Sequence, residues 1–264
     1  MGRLKRDAGH LGTDDMSQVL HAPGIRVADV SWPEVETRLA AGASALLAIG
    51  AAAKEHGRHL PMATDYFQAE WLVRRVIHEF PVVVWPTFAY GYYPSFVEFP
   101  GSVSLPEPVF VEAVGAVFDS MRVAGARQAV LLNTGISTIP PLERTVAEAP
   151  LPVHLVNVYA GPRFAEALNG RSEQAFGGHA DEVETSIMLA IAPHRVEPGA
   201  ARPGGARIER GLFNRHDPEA PNYSPDGVNG DPTLASPEKG EAFVQALWGD
   251  VHAAVTAALG GRAR

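Results

Sequence analysis

Short runs of consecutive hydrophobic residues alternate along this chain with longer segments in which apolar residues recur at helical spacing. These runs lie at residues 45–49, 82–85, 129–133 and 153–158, and polar residues occur in them only at Asn133, His154 and Asn157. We expect His154 to be a satisfied core histidine. Helical spacing is found at residues 31–42, 65–80, 108–124, 181–191 and 237–259. Uninterrupted apolar runs of this length are typical of parallel strands that are buried on both faces. The alternation therefore predicts an α/β fold with a mostly parallel central sheet between two layers of helices.

The two ends of the chain and its loops suggest one domain. Residues 1–24 mix charged residues, glycine and histidine without periodicity, which predicts a flexible N-terminal extension. Residues 25–264 are expected to form a single domain, since 264 residues can share one core. The segments 87–106 and 198–237 are rich in glycine and proline, and loops of this length are usually functional.

Composition narrows the possible classes of function. The chain has no cysteine, which excludes disulfides, thiol nucleophiles and cysteine-ligated zinc. Its formal charge of −8 argues against a nucleic-acid partner. The apolar runs are too short to cross a bilayer, and the chain shows no signal peptide. We therefore expect a cytoplasmic protein that has neither nucleic acid nor membrane as a partner.

Two polar segments lie where strands of the predicted sheet end or a helix begins. The loop at 54–65 carries His56, His59 and Asp65, which could bind a divalent cation through nitrogen and oxygen atoms. The alternative is a solvated loop in which Asp65 caps the next helix. The segment 177–186 places His179, Glu182 and Glu184 at a helix start, either as functional groups or as acids that stabilise the helix dipole.

Four motifs in this order along the chain resemble those of the creatininase (creatinine amidohydrolase) family. Residues 56–65 read His-Gly-Arg-His-Leu-Pro-Met-Ala-Thr-Asp, as in the family's first motif after its glutamate. The loop at 91–102 and the segments 179–186 and 227–240 resemble the three later motifs. The resemblance covers about residues 28–260 and implies an α/β/α layered fold, a small-molecule substrate and a homo-oligomer, typically a hexamer. It also implies a metal-dependent hydrolase of non-peptide or cyclic C–N bonds, in which two cations share the aspartate that corresponds to Asp65.

The chain departs from the family at the ligands of one cation. The family's metal-binding glutamate falls on Lys54, and a metal-binding histidine falls on Gly135. A further acid of some members falls on Ser137, and the loop histidine falls on Phe96. We interpret this selective loss as the removal of one of the two cation sites. The Lys54 ammonium can supply a lost positive charge beside Asp65, or it can point to solvent.

Two hypotheses follow for the chemistry. In the first, His56, Asp65 and Glu184 bind one Zn²⁺, Mn²⁺ or Fe²⁺ per subunit, which activates water for amide hydrolysis. His179 then moves a proton to the leaving nitrogen, and Lys54 stabilises the developing oxyanion. In the second, no metal binds. The pocket then performs acid/base chemistry (an elimination, isomerisation or cyclisation) with Lys54, His179 and Glu182 or Glu184, or it only binds a ligand.

Overall fold

The central feature of the fold is a five-stranded sheet in which every strand is parallel to its neighbours. The computed structural model describes residues 22–208 and 211–260. Its strands are β1 (Ile25–Arg26), β2 (Ser44–Ile49), β3 (Val82–Val84), β4 (Ala129–Asn133) and β5 (Val153–Asn157). The strand order is β1-β3-β2-β4-β5. The predicted mostly parallel α/β architecture is thereby confirmed.

Helices cover both faces of this sheet. They are α1 (Trp32–Ala40), α2 (Thr64–Glu79), α3 (Glu107–Val123), α4 (Ile139–Ala147), α5 (Pro162–Arg171), α6 (Glu182–Ile191) and α7 (Pro237–Ala258). One face packs against α2 and the end of α7, and the other packs against α1, α3 and α4. Helices α5 and α6 pack against α7 outside the first of these layers.

Successive strand residues feed two separate cores. Leu46 on β2 faces the core under α2, whereas its neighbour Leu47 faces the core that contains Phe110 and Phe118 of α3. The period of two along a strand explains this partition, because adjacent side chains point to opposite faces. An apolar run without polar interruption is therefore what a strand between two helical layers requires.

Three local features differ from the sequence-based expectation. The structure contains two short helices, α4 and α5, that the hydrophobic pattern did not predict. Strand β5 lies at the edge of the sheet, and its His154 is exposed rather than buried in the core as we expected. The predicted extension at 1–24 falls mostly on residues 1–21, which lie outside the described residues.

The segments 54–65 and 177–186 meet at the edge of the sheet that is formed by the carboxyl ends of the strands. The loop after β2 leads directly into α2, and it is closed by a backbone hydrogen bond from Lys54 N to Met62 O of 3.1 Å.

Across the described parts of the chain, none of the helices combines the length and hydropathy that a membrane crossing needs.

Candidate active site

Asp65 lies at the centre of the site, on the second residue of α2. One carboxylate oxygen, Oδ2, is 2.7 Å from Lys54 Nζ, and the other, Oδ1, is 3.0 Å from His56 Nε2. Only 6 % of Lys54 is exposed and Asp65 and His56 are fully buried, so the Lys54 side chain does not point to solvent. The buried carboxylate therefore contacts an ammonium on one side and an imidazole on the other.

This contact determines the charge of Asp65. Burial alone would raise the pKa of the carboxyl group, but the Lys54 ammonium, together with His56, holds it well below its usual range. The Lys54 ammonium also lies over two aromatic rings, 5.5 Å from the centroid of Tyr93 and 5.2 Å from that of Phe96. The ion pair is thus enclosed by aromatic side chains, where attraction between charges is stronger than in water.

Both histidines of the site have one ring nitrogen fixed by a backbone carbonyl. His56 Nδ1 is 2.9 Å from Lys54 O, and His179 Nε2 is 2.9 Å from Glu55 O. A carbonyl oxygen can only accept, so each contact favours the form of the ring that carries a hydrogen on this nitrogen. Each second nitrogen faces a carboxylate. His56 Nε2 is 3.0 Å from Asp65 Oδ1, within hydrogen-bond distance, whereas His179 Nδ1 is 3.7 Å from Glu184 Oε2.

This arrangement fits a cation. Among the described residues, donor atoms of His56, His179 and Glu184 all lie within 4.8 Å of one another. Donor atoms in a tetrahedral zinc site with bonds of about 2.0–2.1 Å are about 3.3 Å apart. At 3.7 Å, His179 Nδ1 and Glu184 Oε2 are too far apart for a hydrogen bond, and a cation bound to both atoms would remove the repulsion between their lone pairs. This group contains His56 and Glu184 of the predicted ligand set together with His179, whereas Asp65 contacts His56 and Lys54.

Glu182 is directed elsewhere. Its carboxylate accepts hydrogen bonds from Ser172 Oγ at 2.7 Å and from Gln174 N at 2.9 Å, and it forms an ion pair with Lys239. Burial would raise its pKa, but Lys239 and these hydrogen bonds lower it. These contacts fasten the start of α6 to the preceding loop. The structure therefore does not bring Glu182 together with Lys54 and His179.

The orientation of helix α6 still matters for the site, because Glu184 lies in its first turn. The Asp181 side chain caps the helix by accepting from Val183 N at 2.9 Å and from Glu184 N at 3.0 Å. Glu184 Oε2 in turn accepts from Ala180 N at 2.6 Å. The cap and this contact direct the Glu184 carboxylate towards His179.

Sequence reasoning missed two contacts of buried residues in the first motif. Glu55, which appeared to be one position out of register with the family glutamate, has Oε2 3.1 Å from His179 Nε2. His59 Nε2 is 2.8 Å from Thr185 Oγ1, and burial lowers the pKa of His59 to about 4, so its ring stays neutral. The position of Glu55 between Lys54 and His56, which both lie in the site, is the signal that could have indicated it.

The positions that depart from the family serve other purposes. Gly135 N donates to Asn133 Oδ1 at 3.1 Å within the loop after β4. Ser137 Oγ donates to Tyr92 O at 2.8 Å and so connects this loop to the segment 87–106. Phe96 lies against His179, with ring centroids 4.2 Å apart, and Phe213 lies on the same histidine at 5.7 Å. Phe96 and Phe213 thus form an apolar cover on this side of His179, where Phe96 takes the position of the family's loop histidine.

Comparison with known proteins decides the family. Residues 28–255 match the Creatininase family model, described as creatinine amidohydrolase. This chain belongs to the creatininase family. It is 30% identical to the creatinine amidohydrolase of Pseudomonas putida over 190 residues, which are 65% of this chain and 73% of that protein. It is 26% identical over 252 residues to the 3-dehydro-scyllo-inosose hydrolase of Thermotoga maritima, covering 85% of this chain and 80% of that one.

Solved creatininase structures share the fold. A mutant creatininase of a zinc–zinc type superposes with a TM-score of 0.73 at 24% identity, covering 89% of this chain and 98% of that chain. A manganese creatininase gives a TM-score of 0.69 at 22% identity, with 89% and 99% covered. The resemblance, the fold class and the assignment as a creatininase-family hydrolase are thereby confirmed.

Proposed function

We propose that this creatininase-family hydrolase cleaves a C–N bond of a small, non-peptide amide with the help of a single divalent cation. The observation that carries the proposal is the contact between Lys54 and Asp65. In the motif that this chain resembles, Asp65 would be shared by two cations, and here Lys54 Nζ occupies one side of its carboxylate at 2.7 Å. A fixed ammonium next to this aspartate leaves room for one cation rather than two.

The cation is assigned to His56, His179 and Glu184. These residues offer three donor atoms within 4.8 Å of one another, and three protein ligands with an open position are typical of catalytic zinc sites. The chemistry supplied by such a cation is the activation of water and the polarisation of an amide carbonyl. His179 Nδ1 can bind the cation or accept a proton, but not both at once, so its role as a ligand replaces the predicted proton transfer.

The other residues of the site bind and shield the substrate. Lys54 has ammonium hydrogens beyond the one that faces Asp65, and these can stabilise negative charge on a substrate oxygen. Burial and the nearby Asp65 carboxylate raise the pKa of Tyr93, so its phenol stays protonated. The Tyr93 hydroxyl is buried and has no hydrogen-bond partner among the described residues, which suits donation to a substrate acceptor.

A small substrate is supported by two observations. Phe96, Phe99 and Phe213 form a buried cluster with Tyr93, and the rings of Phe96 and Phe213 lie against His179. An aromatic cover of this kind favours a small substrate. The names of the two relatives refer to creatinine and to 3-dehydro-scyllo-inosose, which are both small molecules.

Metal analysis of the purified protein tests the proposal. We expect about one equivalent of Zn²⁺, Mn²⁺ or Fe²⁺ per chain, lost in His56→Ala and in His179→Asn but retained in Lys54→Met. Glu182→Gln, at a carboxylate that contacts Lys239 instead, is the control that should retain the metal. Two equivalents per chain, or hydrolysis of cyclic amides that survives complete metal removal, would overturn it. Metal-free protein with Lys54-dependent turnover would instead support acid/base chemistry.

A further inference from the structure

Glu55 is a buried carboxylate for which the mechanism above has no use. It is 5 % exposed, although its position in a loop of the first motif would allow it to point outwards. Its backbone N donates to Ser102 Oγ at 3.0 Å, and its Oε1 accepts a hydrogen bond from Gly57 N. The second oxygen, Oε2, is 3.1 Å from His179 Nε2. Burying a carboxylate costs free energy unless its oxygens are hydrogen-bonded, so a buried Glu55 with this many contacts indicates a specific role.

The space for this carboxylate depends on a glycine from a distant part of the chain. A Cβ atom at Gly227 would lie 2.1 Å from the Glu55 carboxylate carbon, and the φ angle of Gly227 is +73°. Residue 227 lies in the last of the four family-like motifs, Ser102 lies in the second and His179 in the third. Segments from all four motifs therefore converge on the Glu55 side chain.

The consequence for His179 follows from hydrogen-bond chemistry. Its Nε2 faces two acceptors of Glu55, the carbonyl oxygen at 2.9 Å and the carboxylate oxygen at 3.1 Å. Both favour a hydrogen on Nε2, which leaves the Nδ1 lone pair directed at the side of the ring where Glu184 and His56 lie. A carboxylate on the far nitrogen also fixes the ring orientation and raises the basicity of the near one.

We propose that Glu55 is a positioning residue, which holds His179 in the Nε2–H tautomer so that Nδ1 can bind the cation. The cation part rests on the proposed function, whereas the tautomer part does not. The Glu55 carbonyl contributes to the same tautomer, but it is a neutral acceptor. The carboxylate adds negative charge, which strengthens the hydrogen bond and the donor power of Nδ1.

Two measurements test the role of Glu55. The first is cation affinity, measured by competition with a chromogenic chelator for Zn²⁺ alone. We expect Glu55→Gln to bind Zn²⁺ about 10- to 100-fold more weakly. Glu98→Gln is the matched control, because Glu98 is a partly buried carboxylate that accepts from Arg215 N at 2.8 Å rather than from His179. It should bind Zn²⁺ as tightly as the wild type.

The second measurement is the tautomer itself, read from the ¹⁵N chemical shifts of His179 in the metal-free protein. We expect the Nε2–H form in the wild type and a measurably larger share of the Nδ1–H form in Glu55→Gln, in which only neutral acceptors face Nε2. An Nδ1–H or doubly protonated ring in the wild type would overturn the proposal, even if the variant does not fold. Unchanged Zn²⁺ affinity with an unchanged tautomer in Glu55→Gln would overturn it as well.

A glycine pair gives an independent check from the opposite side of the carboxylate. Gly227→Ala should displace the Glu55 side chain and weaken Zn²⁺ binding like Glu55→Gln. Gly125→Ala, at a glycine with φ +99° and no atom within 4 Å of its added Cβ, controls for backbone strain alone. If wild-type protein binds no Zn²⁺ at all, the proposed function fails, while the tautomer measurement still decides the role of Glu55.

Discussion

The ion pair between Lys54 and Asp65 makes a quantitative prediction for Lys54→Met. The substitution preserves most of the side-chain volume but leaves a buried carboxylate without its ammonium, which lies 2.7 Å away in the wild type. Removal of one partner of a buried ion pair costs about 3–5 kcal/mol of unfolding free energy. His56 still contacts the other carboxylate oxygen at 3.0 Å, so we expect a loss near the lower end, about 3 kcal/mol.

The dependence of this loss on pH has a definite sign. In the wild type the pKa of Asp65 is depressed, so the carboxylate contributes stability above its unfolded-state pKa of about 3.9 and loses it as the pH falls through the lower folded value. In Lys54→Met, burial raises the pKa of Asp65, so the variant takes up a proton more readily. The difference in stability should therefore be largest near pH 7 and shrink as the pH falls through the raised pKa of Asp65 in the variant towards its depressed pKa in the wild type.

Denaturation with urea at pH 7, 5 and 3.5, in the presence of a metal chelator, measures this difference. Arg144→Met is the control, because Arg144 pairs with Glu107 at an exposed site and should cost less than about 1 kcal/mol. A loss in Lys54→Met no greater than in the control, or one of equal size at all three pH values, would refute the reasoning.

Three further predictions concern other parts of the molecule. Lys239→Met should lower the melting temperature more at pH 7 than at pH 3. The stability that comes with the depressed pKa of Glu182 is fully present above its unfolded value of about 4.3 and is lost as the pH falls through the lower folded value. A loss independent of pH would contradict this. Phe118→Ala, at a fully buried ring, should cost about 3–5 kcal/mol in urea denaturation, and a loss under 1 kcal/mol, as at a surface site, would disagree. The double variant Lys54→Glu/Gly135→His should still bind only one cation, because a Cβ at Gly135 would lie 2.6 Å from Thr138 Oγ1. Adding Thr138→Ala should let it bind a second cation, as measured by metal analysis. A second cation in the double variant would contradict this.

Much of the fold could be predicted because its strands are buried on both faces. Strands β2, β3 and β4 are continuous apolar runs, and no other arrangement hides both sets of side chains. Helix α4 was missed because its first turn contains Pro140 and Pro141, which are typical of loops but are tolerated where backbone N–H groups need no partner. Helix α5 was missed because Phe164 is its sole fully buried residue, which gives almost no periodicity.

The prediction for His154 was wrong for a reason of topology. The run at 153–158 was interpreted as a buried strand, but β5 lies at the edge of the sheet and His154 is exposed there. Strand order depends on contacts between distant segments, and an apolar run carries no information about it. Edge and central strands can therefore look alike in sequence.

The site could be predicted only where the motif spacing fixes the neighbours. Lys54, His56 and Asp65 lie on one short loop and the helix after it, and the structure brings them together. Glu182 and Glu184 are two residues apart at the start of α6 and point in different directions, towards Lys239 and His179 respectively. Which of the two faces the site depends on the rotation of α6, and that is set by the Asp181 cap and tertiary packing. The same holds for Glu55, whose partner is 124 residues away.

A charge carried by a lysine differs from one carried by an ion in how it responds to the surroundings. The ammonium beside Asp65 belongs to the chain, so it cannot be diluted away, exchanged for another element or removed by a competing chelator. With one side of the Asp65 carboxylate neutralised permanently, occupancy of the single cation site proposed at His56, His179 and Glu184 should rise with the first power of free metal concentration. An enzyme built this way would tolerate metal scarcity better than one that must collect two ions before it can work.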